Sequence, residues 1–150
     1  MEIEKRKWFY KGQKIIHFKK KTITESDNNL FCLMTMNHHP VHLNVEFAKT
    51  SYHNKILVVG PLIISLSVGI ASQDIDKYSL FCKSIDFAKH TEPVFLGDTI
   101  EVESEILEKF EENGIQYIKI QSKTLNQNNK YVLDLIRTLA FKKEKGDDYE

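Results

Sequence analysis

The stretch "ILVVGPLIISLSVGIA", residues 56–71, limits the possible folds of this chain more than any other. Wound as a helix, it is apolar on nearly every side, so it must be enclosed rather than laid on a surface. A bilayer does not serve as the enclosure. Crossing one takes about 20 uninterrupted apolar residues, and this run is shorter and broken by Gly, Pro and two Ser. Gly60 and Pro61 suit the cap and first position of a helix. A buried helix is therefore expected over residues 62–72, with Leu62, Leu66 and Ile70 in one stripe and Ile63 and Ser67 beside it.

The carboxy-terminal half supplies the enclosure. Ile100, Val102, Ser104 and Ile106 alternate with Glu101, Glu103 and Glu105, the period of a strand with one wet face. The turn signals "EENG" and "NQNNK" separate this strand from "IQYIKIQSKTL" and "YVLDLIRTLAF". Three such strands joined by short turns form an antiparallel meander. The charged tail "KKEKGDDYE" is expected to fray. Upstream, Ile15, Ile16 and Phe18 among lysines predict an amino-terminal strand. Thr24 with Asp27 makes a capping box for a short helix over residues 25–34, in which Leu30, Phe31 and Met34 recur at helical spacing. Asn44 caps a second short helix in "NVEFAKTSYHNK", and a histidine loop ending any continuation at Pro40 lies between the two. One enclosed helix and a curved antiparallel sheet make an α+β protein, the arrangement of a hot-dog fold.

A chain of 150 residues is one domain of ordinary core depth, with its core expected over residues 12–142. Twenty-one basic and twenty-one acidic residues cancel. No field concentrates polyanions, so nucleic acid is not an expected partner. Neither is a membrane. Cys32 and Cys82 lack any CxxC spacing, which predicts reduced thiols and a cytoplasmic setting.

Four of the six histidines fall in "MNHHPVHLNVEFAKTSYHNK". His38, His39 and His42 have no acidic or Cys ligand beside them and lack the helical spacing of a zinc protease, so no metal is expected. His38 is read as a solvated loop residue. His17, His53 and His90 are read as structural or surface residues, and Gly97-Asp98 as a turn device without catalytic role.

"MNHHPVH" (residues 36–42), the following "LNVEFA", "PVFLGDT" (residues 93–99) and "RTLAF" together resemble the MaoC-like hydratases and dehydratases of acyl thioesters, a hot-dog family. The family motif reads Gly-Asp-x-Asn-Pro-x-His. Pro40 and His42 match it, Ala48 matches downstream, and Asn37 stands where the family has Asp. The resemblance covers about residues 12–142 and is closest to the mesaconyl-CoA hydratase (methylmalyl-CoA dehydratase) branch. It implies a hydro-lyase that moves water on or off an acyl-CoA double bond, on a substrate such as a methyl-branched C5 acid. His42 would be the acid/base, with Asn37 orienting the water because it cannot take a proton. His39 and Pro40 would line the substrate. The thioester carbonyl would sit at the start of the buried helix, where Gly60 and Leu62 offer N–H donors and Pro61 has none. The resemblance implies no metal and no cofactor beyond the coenzyme A thioester as substrate. The exposed sheet edge predicts a homodimer, or a larger homo-oligomer of dimers. Two alternatives remain: a thioesterase on the same fold, which would need a carboxylate to activate water, and an acyl-CoA-binding protein without catalysis.

Overall fold

The computed structural model describes residues 9–142. The charged tail beyond Lys142 and the residues up to Trp8 lie outside the described residues. Strands β1 (Lys14–Ile16) and β2 (Lys21–Thr22) lead into helices α1 (Glu25–Thr35), α2 (Pro40–Leu43), α3 (Val45–Lys49) and α4 (Gly60–Ser72). A 3-10 turn, Asp76–Tyr78, then precedes β3 (Phe81–His90), β4 (Thr99–Glu112), β5 (Ile115–Leu125) and β6 (Tyr131–Lys142). The sheet order is β1-β4-β5-β6-β3, with β2 also on β4, and every pairing is antiparallel. This is the hot-dog arrangement expected, with α4 packed on β4, β5 and β6.

The period-two pattern does what it predicts. Ile100, Val102, Ser104 and Ile106 are buried on β4 and the glutamates between them are not. Buried Ile118 and Ile120 of β5 and Leu133, Leu135 and Leu139 of β6 join them in one cluster with Leu62, Ile63, Ile70 and Ala71 of α4. Each such side chain contributes about 1.5–3 kcal/mol by leaving water, which makes this the main source of stability. The polar core residues are paired: the Thr124 hydroxyl donates to Ser67 Oγ at 3.0 Å, and Ser104 and Ser122 share a 2.8 Å bond.

Several expectations need correction. Helix α4 starts earlier than read, with Val59 at the cap, Gly60 first and Pro61 second. It is not enclosed all round, because Pro61, Ser65 and Gly69 form an exposed stripe of small residues on its outer side. The capping box of α1 is present in full, but its apolar stripe is not the buried one. Leu30 and Met34 are 59% and 74% exposed, and of the expected stripe only Phe31 packs on the core, beside the buried Asn28 and Cys32. The amino-terminal strand is short, with Ile16 85% and Phe18 95% exposed, since β1 reaches β4 through only three residue pairs and stands at the end of the strand order. The histidine segment is not a loop. Pro40 opens the one-turn helix α2 instead of ending a helix, because its fixed φ suits a first position. Strand β3 went unread because its residues are nearly all exposed and two register shifts break any alternation.

Candidate active site

Where the start of α4 meets the end of β3 lies an open cavity of about 390 Å3 lined by His42, Leu57, Gly60, His90, Glu92 and Val94, among others. That volume suits a small acyl group and its thioester. Two backbone links fix its floor: Val58 N–H donates to the Val94 carbonyl at 2.9 Å, and Leu57 bridges Phe95. Gly97 takes a φ of +89°, a conformation glycine adopts without strain. Asp98 accepts from the Phe95 N–H at 2.8 Å and from Gln127. The Gly-Asp pair thus holds the turn that presents this wall, as read.

His42 stands on α2 and is oriented by the segment ahead of α4. Its Nδ1 lies 2.6 Å from the Leu57 carbonyl oxygen. A carbonyl only accepts, so Nδ1 carries the hydrogen and the neutral ring keeps its Nε2 lone pair free. No partner for Nε2 occurs among the described residues, and His42 lines the cavity. An imidazole on a cavity wall with one nitrogen anchored and the other uncommitted is arranged to accept and return a proton.

Asn28, unnoticed in the sequence, ties this histidine to α4. It is fully buried. Its Nδ2 donates to the His42 carbonyl at 2.9 Å, and its Oδ1 accepts from the Val59 N–H at 3.0 Å. This side chain therefore ties the His42 turn directly to the helix start, beside the Leu57 N–H that donates to the Val41 carbonyl at 3.2 Å, and each half of its amide is used. No motif flags it, because an asparagine on a short helix reads as a surface residue.

At the helix start, the Gly60 N–H has no hydrogen-bond partner among the described residues. The Leu62 N–H donates to the Val59 carbonyl at 3.1 Å, and the Leu62 side chain is buried in the core. Of the two expected donors, only Gly60 therefore faces the cavity with an unused N–H. His39 and Pro40 lie outside the lining. The His39 ring caps α2 by accepting from the Val41 N–H at 3.2 Å, and it stacks edge-on to His42 and Phe47 at 6.0 and 6.1 Å. Pro40 is the first residue of that turn. Asn37 is half-buried and its N–H donates to the Cys32 carbonyl at 3.1 Å; its side chain is not on the lining.

Two histidines read as structural or surface residues belong to the cavity wall: His53, whose ring lies 5.5 Å from Phe95, and His90. The His90 pKa is lowered by partial burial, which disfavours imidazolium. Its position just ahead of "PVFLGDT" was the available signal. His17 is structural as read, held between Asp74 and Ser104 at 2.7 and 2.8 Å. Among the described residues, no group of three or more His, Cys, Asp or Glu side chains is placed to hold a metal, and no helix is long and apolar enough to cross a membrane.

The family model of the MaoC like domain matches residues 9–128. The β-methylmalyl-CoA dehydratase of Chloroflexus aurantiacus is 33% identical over 98 residues, 65% of this chain and 28% of that protein. The chain thus spans less than a third of that relative's length. Among solved structures, a monoamine oxidase regulatory protein from Archaeoglobus superposes with a TM-score of 0.86 at 27% identity, over 93% of this chain and 94% of that one. An R-hydratase from Pseudomonas aeruginosa superposes with a TM-score of 0.73 at 27% identity, over 91% and 84%.

Proposed function

We propose, from the premise that the chain belongs to the MaoC-like domain family, that it is a hydro-lyase adding water to, or removing it from, the double bond of a 2-enoyl thioester of coenzyme A. The observation that carries this reading is His42, with Nδ1 anchored on the Leu57 carbonyl and Nε2 free beside the cavity that the start of α4 also lines. In the hydration direction, Nε2 takes a proton from water as the water oxygen bonds to C3. The electron pair of the double bond moves to C2 and the carbonyl, and charge builds on the thioester oxygen. The Gly60 N–H and the positive end of α4 stabilise that charge. The imidazolium then returns the proton to C2 on the same face, a syn addition that leaves His42 neutral. Asn37, whose side chain stands off the cavity lining, moves no proton. A methyl-branched C5 substrate such as mesaconyl-CoA is the finer reading, supported by the relative from Chloroflexus. A homodimer formed through the β3 edge and a cytoplasmic setting complete the proposal.

Thioester hydrolysis is the second reading, and one observation favours it: Glu92, a carboxylate, lines the same cavity. The test follows loss of enoyl absorbance from crotonyl-CoA beside release of free thiol. Hydration is expected without thiol release. His42→Ala should lower turnover by about a hundredfold or more, the usual range for a lost general acid/base. Thiol release that outpaces hydration, or a fully active His42→Ala protein, refutes the hydratase reading.

A further inference from the structure

Oxyanion holes commonly pair donors, and of the first three residues of α4 only Gly60 offers an unspent N–H. Pro61 has no N–H, the Leu62 N–H is spent on the Val59 carbonyl, and the Gly60 N–H stands alone. The imidazole of His90 packs directly on Gly60. A Cβ built on Gly60 would lie 2.9 Å from His90 Nε2 and 3.3 Å from its Cε1, closer than a side chain tolerates. Glycine at position 60 is therefore what lets this ring approach the helix start. Neither ring nitrogen of His90 has a hydrogen-bond partner among the described residues, so neither is committed and the ring can carry its hydrogen on Nε2. Both His90 and Gly60 line the cavity that His42 lines.

We propose that His90 is the second hydrogen-bond donor to the substrate's thioester oxygen, acting beside the Gly60 N–H while His42 moves the proton. This assignment rests on the hydration reading above and deepens it. It divides the two cavity imidazoles by role: His42 Nε2 accepts a proton from water, and His90 Nε2–H polarises the carbonyl. Partial burial favours the neutral ring, which can give a hydrogen bond without giving up its proton to the enolate.

The test uses the full chain and three readouts. His90→Phe keeps a flat ring against Gly60 and removes the donor. It is expected to lower kcat on crotonyl-CoA by about a hundredfold or more, the usual cost of one oxyanion donor, with KM within a few-fold of wild type. His90→Gln restores an N–H and is expected to recover at least about a tenth of wild-type turnover, within the range that one neutral donor supplies. The third readout needs no turnover: the infrared carbonyl stretch of bound butyryl-CoA labelled with carbon-13 at C1, a saturated thioester that cannot be hydrated. The wild type should shift this band to lower frequency than His90→Phe does. Wild-type kcat in His90→Phe, or an identical carbonyl band in both proteins, overturns the assignment while leaving the hydratase reading intact. A wild type that binds butyryl-CoA and polarises its carbonyl without hydrating crotonyl-CoA instead refutes the hydratase reading and keeps the donor.

Discussion

Asn28→Leu isolates the link between the catalytic turn and the start of α4. The substitution keeps a side chain of similar size and removes both halves of the amide, leaving the Val59 N–H and the His42 carbonyl without their partner. Val59 is fully buried, so its N–H bears the whole penalty, while the His42 carbonyl is only part-buried and water can reach it. A buried group left unsatisfied costs about 1–3 kcal/mol, and the Val59 N–H sets the total in that range. At about 2–4 °C per kcal/mol for a chain of this size, Tm should fall by about 2–12 °C. Activity should fall further than stability alone explains. The Leu57 carbonyl still anchors the ring and the Leu57 N–H still donates to the Val41 carbonyl at 3.2 Å, but the His42 turn loses its direct tie to the start of α4, and a shift of about 1 Å in a reacting geometry can cost about a hundredfold. Thermal melts at fixed protein concentration, with kcat and KM on crotonyl-CoA below the melting range, give the answer. Ser26→Ala, an exposed change on the same helix, is the control. Asn28→Leu with wild-type Tm and kcat would refute the reasoning.

Asn37→Asp restores the common family pair, so it should retain or raise hydration of crotonyl-CoA. With position 37 off the cavity lining, mesaconyl-CoA should respond as crotonyl-CoA does, and a selective loss on mesaconyl-CoA would place position 37 at the substrate. The β3 edge carries Ile85 at 56% exposure together with part-exposed Phe81 and Phe87, and an unpaired edge of this length invites pairing with a second copy. Sedimentation should find a dimer at micromolar concentration that Ile85→Lys weakens, and a monomeric wild type would refute the pairing. Asp27 titrates at about 2 rather than 3.8, held down chiefly by the Lys21 ammonium and then by the Thr24 N–H. A carboxylate with a depressed folded pKa contributes stability that is fully present above about pH 4 and is lost as pH falls toward 2. The Tm deficit of Asp27→Ala at pH 6 should therefore shrink between pH 4 and pH 2, and a deficit constant down to pH 2 would disprove the linkage.

Local signals carried much of this protein. The capping box of Thr24 and Asp27, the cap at Asn44, the turn at Gly97-Asp98 and the alternation of Ile100, Val102, Ser104 and Ile106 act between near neighbours, and each is legible because its partner lies within a few residues. The family motif around Pro40 and His42 belongs with them. Strand β3 was illegible because its ladder is made with β6, some fifty residues away in the chain, and an exposed edge imposes no alternation on its side chains. The site itself was decided by tertiary structure. Asn28 meets the His42 carbonyl 14 residues on and the Val59 N–H 31 residues on, so its role exists only once α1, α2 and α4 converge. His90 gained its place from the close approach that a missing Cβ at Gly60 permits. The Leu62 N–H was withdrawn from the site by a bond to Val59 that depends on where α4 begins. Periodicity and caps report what a residue does with its neighbours in the chain; which donors remain unspent around a cavity is settled only when distant segments pack.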